Sequence, residues 1–537
     1  MSRNSTASRV ILVVVLVLFL VTAIFYVVDR RMGDRTVEIH VSATGDDAAS
    51  GSSAEEAWRT LDRVSDAEIE PGTVIVVHGR VPGTLNLSGR NGTADDPIVV
   101  TSAPEKRGII AAEDGAGIRI SDSSYVTVRD IDVVDGSGLN DDGDAGQSPE
   151  SAAKIPDGIV VWASTPGARG AGIRIERVSV EGLRNGIAVG AAGGGAGFDG
   201  VTVSHVAAVD NIRNGILFYS DELGERAHTD VNVSYSKVSG TTGITGATGN
   251  TGSGIVIGAV DGGVVEHNVA EDNGRLSDAV EGPIGIWAYS SSRVAIRNNL
   301  AEDNKTSNAD GGGFAIDVDV DNSALIGNIS RDNMGPGYLV FANSGLPTAD
   351  NAVMFNASID DSTNDSFHGA ISVHGGLPQS PEGSTVEALY IAHNTVVIGA
   401  DSPAPALSID GDVTGAEVIA NFFDVRGYGG VIGARTLKDS DGAEFRCNAY
   451  SPGTGSAVGW LNGVTYIDFT YWWNLVDDPG SAVTDATIDD PDAEAADLIP
   501  DSPVTLGRDC EPVVSGDTTD LAGRKTDGKI FAGAVRP

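Results

Sequence analysis

Three aspartates, Asp317, Asp319 and Asp321, alternate with valines in the stretch FAIDVDVDN, and their spacing is compatible with glycosidic bond cleavage. In an extended chain Asp317 and Asp319 share one face with α-carbons about 6.8 Å apart. Carboxyl pairs that serve as acid and base in glycoside hydrolysis stand about 5 to 9.5 Å apart, so the spacing permits that chemistry. A calcium loop is the competing reading, but interleaved valines suit a strand, and the loop's glycine and distal glutamate are missing. Around these acids the sequence offers Trp287, Tyr289, Phe341, His374 and Asp410. Aromatic platforms hold sugar rings, and the desolvation they cause raises a neighbouring carboxyl's pKa towards that of a useful acid. The catalytic candidates are therefore Asp317, Asp319 and His374, with Trp287, Tyr289, Phe341 and Asp410 as substrate-binding candidates. The plainer alternatives are solvated acids, a histidine capping a strand end, and aromatics packed beneath the loop Asp272 to Pro283, from which Asp278 and Glu281 could arch over a groove.

These residues must be positioned by a repeated element. Runs beginning at Gly254, Gly285, Gly313, Gly337, Ala370 and Ala406 each start with a small residue followed by strict alternation. The first and third residues after it are apolar in all six: Ile255/Ile257, Ile286/Ala288, Phe314/Ile316, Tyr338/Val340, Ile371/Val373 and Leu407/Ile409. A period of two predicts strands with one face in and one face out. Asparagines recur as Asn268, Asn299, Asn328, Asn356, Asn394, Asn421 and Asn448, mostly 27 to 31 residues apart with one step of 38. Asparagine tolerates the left-handed backbone conformation and bonds backbone groups with its amide, so the same turn is expected in every coil. The pattern predicts an all-β, single-stranded parallel β-helix, one coil stacked on the next. Outward residues at the fourth position then form a column about 4.8 Å per step: Trp162, Gly190, Tyr219, Gly258, Tyr289, Asp317, Phe341, His374 and Asp410.

Composition agrees. The chain has 537 residues, 70 glycines for tight corners, and a formal net charge of -40. That charge repels phosphate and excludes a nucleic-acid partner. It also weighs against bare polyuronates unless cations bridge the two. No phosphate-binding loop, zinc spacing, nucleophile elbow or dinucleotide fingerprint fits its required context. The acidic run from Leu139 to Gln147 is either a calcium wrap or an acidic loop, so calcium is the one cofactor the residues raise.

A family resemblance adds to this. The order VSATGD (from Val41), WRTL (Trp58), PGTVI (Pro71), LNLSG (Leu85) and PIVV (Pro97) resembles the N-terminal region of exported right-handed parallel β-helix proteins of the pectate-lyase-like superfamily. Gly285 to Val340 is similar to bacterial members, and CNAY at Cys447, DSPV at Asp501, DLAGR at Asp520 and FAGAV at Phe531 resemble their closing segment. The resemblance implies a right-handed fold. It does not select a reaction, because the superfamily spans lyases, glycoside hydrolases, epimerases and adhesins.

Val10 to Val28 is interrupted by no charge, and its nineteen residues reach roughly 30 Å, the thickness of a bilayer core. Val21-Thr22-Ala23 would suit a signal peptidase, but cleavage there leaves IFYVV exposed. The reading adopted is an uncleaved anchor with the body outside the cell membrane. Residues 1–9 are then a cytoplasmic tail, 10–28 the transmembrane helix, 29–36 a linker, 37–450 the β-helix with its N-terminal cap, and 451–537 a C-terminal cap region. The run AWRTLDRVSD predicts a short helix covering the first coil, as an open sheet end requires. Tyr471, Trp472 and Trp473 are expected in the core of the far cap. Cys447 and Cys510 are the only cysteines, and in an exported chain they are expected to form one disulfide. The functional expectation is a monomeric, membrane-tethered hydrolase or lyase acting on a polysaccharide or cell-wall glycan. A non-catalytic surface module binding glycan or protein is the alternative, and a ligand-free spacer the third.

Overall fold

The computed structural model describes residues 37–536, apart from 141–144, 309, 364–367, 377–378, 435–441, 454–458, 462–463, 467–468, 492, 503, 508–509, 512–517 and 528–529. The expected membrane segment, its tail and its linker lie outside the described residues, as does the middle of the acidic run at Leu139. Among the described residues no helix is long and apolar enough to cross a membrane.

The alternating runs are strands, and among the described residues they stack coil upon coil into three long sheets of 18, 14 and 14 strands. One coil shows the plan. Ile284–Tyr289 lies on the first face, Ser291–Arg297 on the second and Leu300–Glu302 on the third, and a loop returns the chain to Gly312–Ile316 on the first face. Neighbouring strands on each face pair parallel, Ile286 with Phe314 and Ala288 with Ile316, for example. One hairpin, Gly459–Leu461 with Val464–Tyr466, is the exception among the described strands.

All twelve inward residues of the six runs are buried in one continuous core. Burying a side chain such as Ile or Phe contributes roughly 1.5–3 kcal/mol, so the core is a sum of similar coil-sized increments. The Phe314 and Tyr338 rings stack with centroids 5.4 Å apart. Tyr338's hydroxyl reaches the carbonyls of Asn328 and Ala357 at 2.8 and 2.9 Å, so its oxygen is not left unpaired inside.

The asparagines form a buried ladder at the corner between the second and third faces. Asn328 is typical: its backbone N–H and its Nδ2 both donate to Asn356 Oδ1, at 2.9 and 3.1 Å, and Nδ2 also donates to the carbonyl of Ile296 at 2.9 Å. The conformational expectation for them is corrected. The left-handed backbone belongs to the residue before each asparagine, as at His267, Asn298, Phe355 and His393, with φ of 56°, 54°, 55° and 55°. Asparagine is required for its amide, not for its backbone tolerance. A second ladder, Asn273, Asn304, Asn333 and Asp361, lines the corner where the chain leaves the third face.

At the N-terminal end the expected helix spans Leu61–Ser65, with Thr60 accepting from the Arg63 N–H and Leu61 and Val64 buried. At the other end Cys447 and Cys510 are disulfide-bonded. The helix Phe469–Leu475 buries Trp472 edge-on against Phe445. Tyr471 and Trp473 depart from expectation, being 66% and 43% exposed; on a helix, consecutive residues cannot all face one side. The terminal segment packs Ala532, Ala534 and Val535 with Phe422 and Ala449 outside the third face.

Candidate functional site

The outer column of the first face exists as a physical column. Phe341 pairs with His374 and His374 with Asp410 across successive strands. The Asp317 N–H bonds the carbonyl of Ala288 at 2.9 Å, which carries the register one residue past the strand end. Above this column lies a cavity of about 880 Å³. Trp287, Tyr289, Asp317, Phe341 and His374 contribute to its lining, whereas Asp319 and Asp410 do not. The loops entering the first face supply Glu281, Asn308, Asp310 and His368, and those leaving it supply Asn343 and Gln379.

The pairing of Asp317 with Asp319 on one strand face is corrected. The strand Gly312–Ile316 ends before either residue. Asp319 adopts a left-handed backbone, φ 57°, and turns away into an ion pair with Arg226, whose Nη1 stands 2.8 Å from Asp319 Oδ2. Arg226 also reaches Asp321 at 3.4 Å. These two acids therefore tie the insertion containing Arg226 to the rod. Asp410, one coil beyond His374, is 6% exposed and outside the cavity lining.

Asp317 is left as the acid on the cavity floor. Burial pushes its carboxyl up to about 7, opposed by the Val318 N–H and reinforced by the negative charges of Asp310 and Glu281. That N–H donates to Oδ1 at 2.8 Å. Desolvation disfavours the carboxylate, and like charges nearby add to the effect. Asp310 Oδ2 accepts from the Gly282 N–H at 3.0 Å, which ties the loop carrying Glu281 to the next loop down the rod.

The aromatic floor is less open than the sequence suggested. Trp287 is almost buried and donates from Nε1 to Ser253 Oγ at 3.1 Å. Tyr289 tilts against it with centroids 5.2 Å apart, and burial pushes its hydroxyl up to about 12, leaving a neutral donor. His374 is 1% exposed, with Nε2 at 2.9 Å from Ser372 Oγ. Its ring meets Phe341 and His368 edge-on at 6.3 and 5.2 Å. His228, without an evident role in the sequence, is buried with Nε2 against the Tyr219 carbonyl at 3.0 Å, and burial lowers it to about 4.

Sequence reasoning missed Asp310 and His368. Their signal was positional: each lies within three residues of the start of a first-face run, as a loop closing onto that face requires. Asp278, which the sequence also placed over the groove, instead accepts from the Gly246 N–H at 2.7 Å. Among the described residues no three His, Cys, Asp or Glu side chains are grouped to hold a metal ion.

Residues 157–376 match the family model described as "Right handed beta helix region", in keeping with the parallel coils that this stretch forms. Similar solved structures include a GH136 lacto-N-biosidase from Eubacterium ramulus, at 17% identity and a TM-score of 0.51, covering 69% of this chain and 65% of the enzyme. This chain thus spans 65% of that protein's length. Others are the pectate lyase Pel9A, at 14% identity and TM-score 0.35, covering 72% and 80% of the two chains, and an alginate lyase from Paenibacillus sp. str. FPU-7, at 13% and 0.34, covering 74% and 99%. At such identities the likeness concerns the fold. No curated protein matches the sequence significantly.

Proposed function

We propose that this protein hydrolyses a glycosidic bond in a glycan bound along the first face, with Asp317 as general acid. The observation that carries the reading is a carboxyl raised to about 7 on the floor of an aromatic-lined cavity, within the field of two further carboxyls. An acid with a pKa near the working pH is the one best able to protonate a leaving group there. Asp317 gives its proton to the glycosidic oxygen as the bond from that oxygen to the anomeric carbon breaks. Water adds at that carbon, its proton passing to Glu281 or Asp310. Trp287, Tyr289 and Phe341 seat the sugar rings, and His374 with His368 closes one end.

Hydrolysis is favoured over elimination because no Arg or Lys is among the described lining residues. A uronate at the point of cleavage would bring its carboxylate against Asp310 and Glu281. The relatives in fold that act on sugars make the reading reasonable without carrying it. The test is release of reducing ends from a panel of plant and bacterial polysaccharides. Activity that Asp317→Asn lowers by about 10²–10⁴-fold supports the assignment, and activity that survives the substitution removes it.

The anchor and an outward-facing body remain part of the proposal. They rest on the uncharged run Val10 to Val28 and on the disulfide, which persists in oxidising compartments. Digestion of the body by protease added to intact cells is the expected result; full protection would overturn it.

A further inference from the structure

The cavity over Asp317 continues into a second one of about 400 Å³ on the N-terminal side, the two sharing Asn250, Trp287 and Tyr289. Its construction depends on two glycines of the column. At Gly258 a Cβ would lie 2.3 Å from the Tyr289 ring, and at Gly190 it would lie 2.4 Å from the Tyr219 ring. The missing side chains let Tyr289 and Tyr219 lean along the rod. Tyr219 in turn meets Trp162 with centroids 5.8 Å apart. Trp162, Tyr219 and Tyr289 recur every second coil, about 9.6 Å apart, as one strip running down the first face.

The charges of this second compartment are not balanced. Its one acid, Asp157, is taken by Arg184, whose Nε donates to Oδ1 at 3.0 Å and whose Nη2 bonds Oδ2, and by Asn185 Nδ2 at 2.8 Å. Asn214 Nδ2 is spent on Asn185 Oδ1 at 3.1 Å, and Asn250 Nδ2 on the Gly282 carbonyl. Arg213, one coil below Arg184 on the same edge, lines the cavity, is exposed, and makes no ion pair or side-chain hydrogen bond among the described residues. The first compartment collects Asp317, Asp310 and Glu281; the second carries one uncompensated guanidinium, in a chain of net charge -40. A planar fork of donors in one cavity lining with Tyr219, Trp287 and Tyr289 suits a carboxylate on a sugar ring.

We infer that the second compartment is a subsite for a uronate residue, with Arg213 as its specificity-determining contact. The glycan is then a heteropolymer, neutral at the bond over Asp317 and acidic further along, held in one direction by the opposite charges of the two compartments. The inference rests on the glycan reading above and deepens it.

The test is calorimetric binding to the full-length chain of oligosaccharides that combine uronate and neutral residues, each paired with its carboxyl-reduced twin. Asp317→Asn prevents turnover during the titration. The expected result is a preference of about 10- to 100-fold for the acidic member of at least one pair. Arg213→Gln abolishes that preference and leaves binding of the reduced twin and the melting temperature unchanged, while Arg213→Lys keeps part of it. Equal binding of both members of every pair that binds, or a preference that survives in Arg213→Gln, overturns the subsite and leaves the glycan reading standing. Failure of every pair to bind removes both.

Discussion

Replacing Asp361 with asparagine should stabilise the protein at alkaline pH and do little in acid. Asp361 ends the second ladder, where three successive coils carry asparagine. Its Oδ1 accepts from the Asn333 N–H at 3.1 Å and from Asn333 Nδ2 at 2.8 Å, and Oδ2 accepts from Ser358 Oγ at 2.6 Å. The side chain is fully buried, and that burial pushes its carboxyl from 3.8 up to about 7, against these hydrogen bonds and a further one involving Ser330. Because the folded-state pKa lies above the unfolded one, the native chain binds the proton more tightly. Its contribution to stability is complete below about pH 4, falls as pH rises towards 7, and stays lost above that. A shift of about three pK units corresponds to about 4 kcal/mol, an upper bound for a buried carboxyl. Asparagine keeps the Oδ1 acceptor and turns an amide towards Ser358, whose hydroxyl can accept. Urea unfolding of wild type and Asp361→Asn at about pH 4 and about pH 9 reads the difference, and other titrating groups cancel between the two proteins. The variant should match wild type in acid and gain up to about 4 kcal/mol in base. A difference independent of pH, or a loss at alkaline pH, would refute the reasoning.

Two further outcomes follow from the fold. Asn328→Ala strips the Asn299 N–H and the Ile296 carbonyl of buried partners, so denaturant unfolding should show a loss of about 2–5 kcal/mol; a loss below about 1 would mean the ladder is incidental. Reducing the Cys447–Cys510 bond, or replacing both residues with serine, releases a constraint over a sequence separation of 63 and should cost about 4 kcal/mol by chain entropy. Urea unfolding of the double variant checks it, and unchanged stability would show that the cap does not unfold with the rod.

What the sequence made legible was whatever repeats. Inward pairs such as Ile371 and Val373, the asparagine ladder, and the column through Tyr289, Phe341 and His374 follow from a strict period, because every coil solves the same packing problem. Asp319 shows where that logic stops. The alternation of acids and valines continues through Asp321, but the strand has already ended at Ile316, and the partner that turns Asp319 aside, Arg226, lies 93 residues away in an insertion. No period encodes that contact. Glu281, Asp310 and His368 reach the cavity on loops, whose direction depends on bonds such as Gly282 to Asp310 rather than on patterning. Tyr471 and Trp473 were misplaced because aromatic density was taken as burial, whereas of these three consecutive aromatics the helix presents Trp472 to the core, beside Phe469 one turn earlier.

The central claim, that the acid on the cavity floor holds its proton at neutral pH, is open to direct measurement. Infrared difference spectra between wild type and Asp317→Asn across a pH series isolate that single carboxyl. A protonated carboxyl band that disappears around pH 7 is the result this account predicts. A group already ionised at about pH 4, the ordinary carboxylate range, would contradict it.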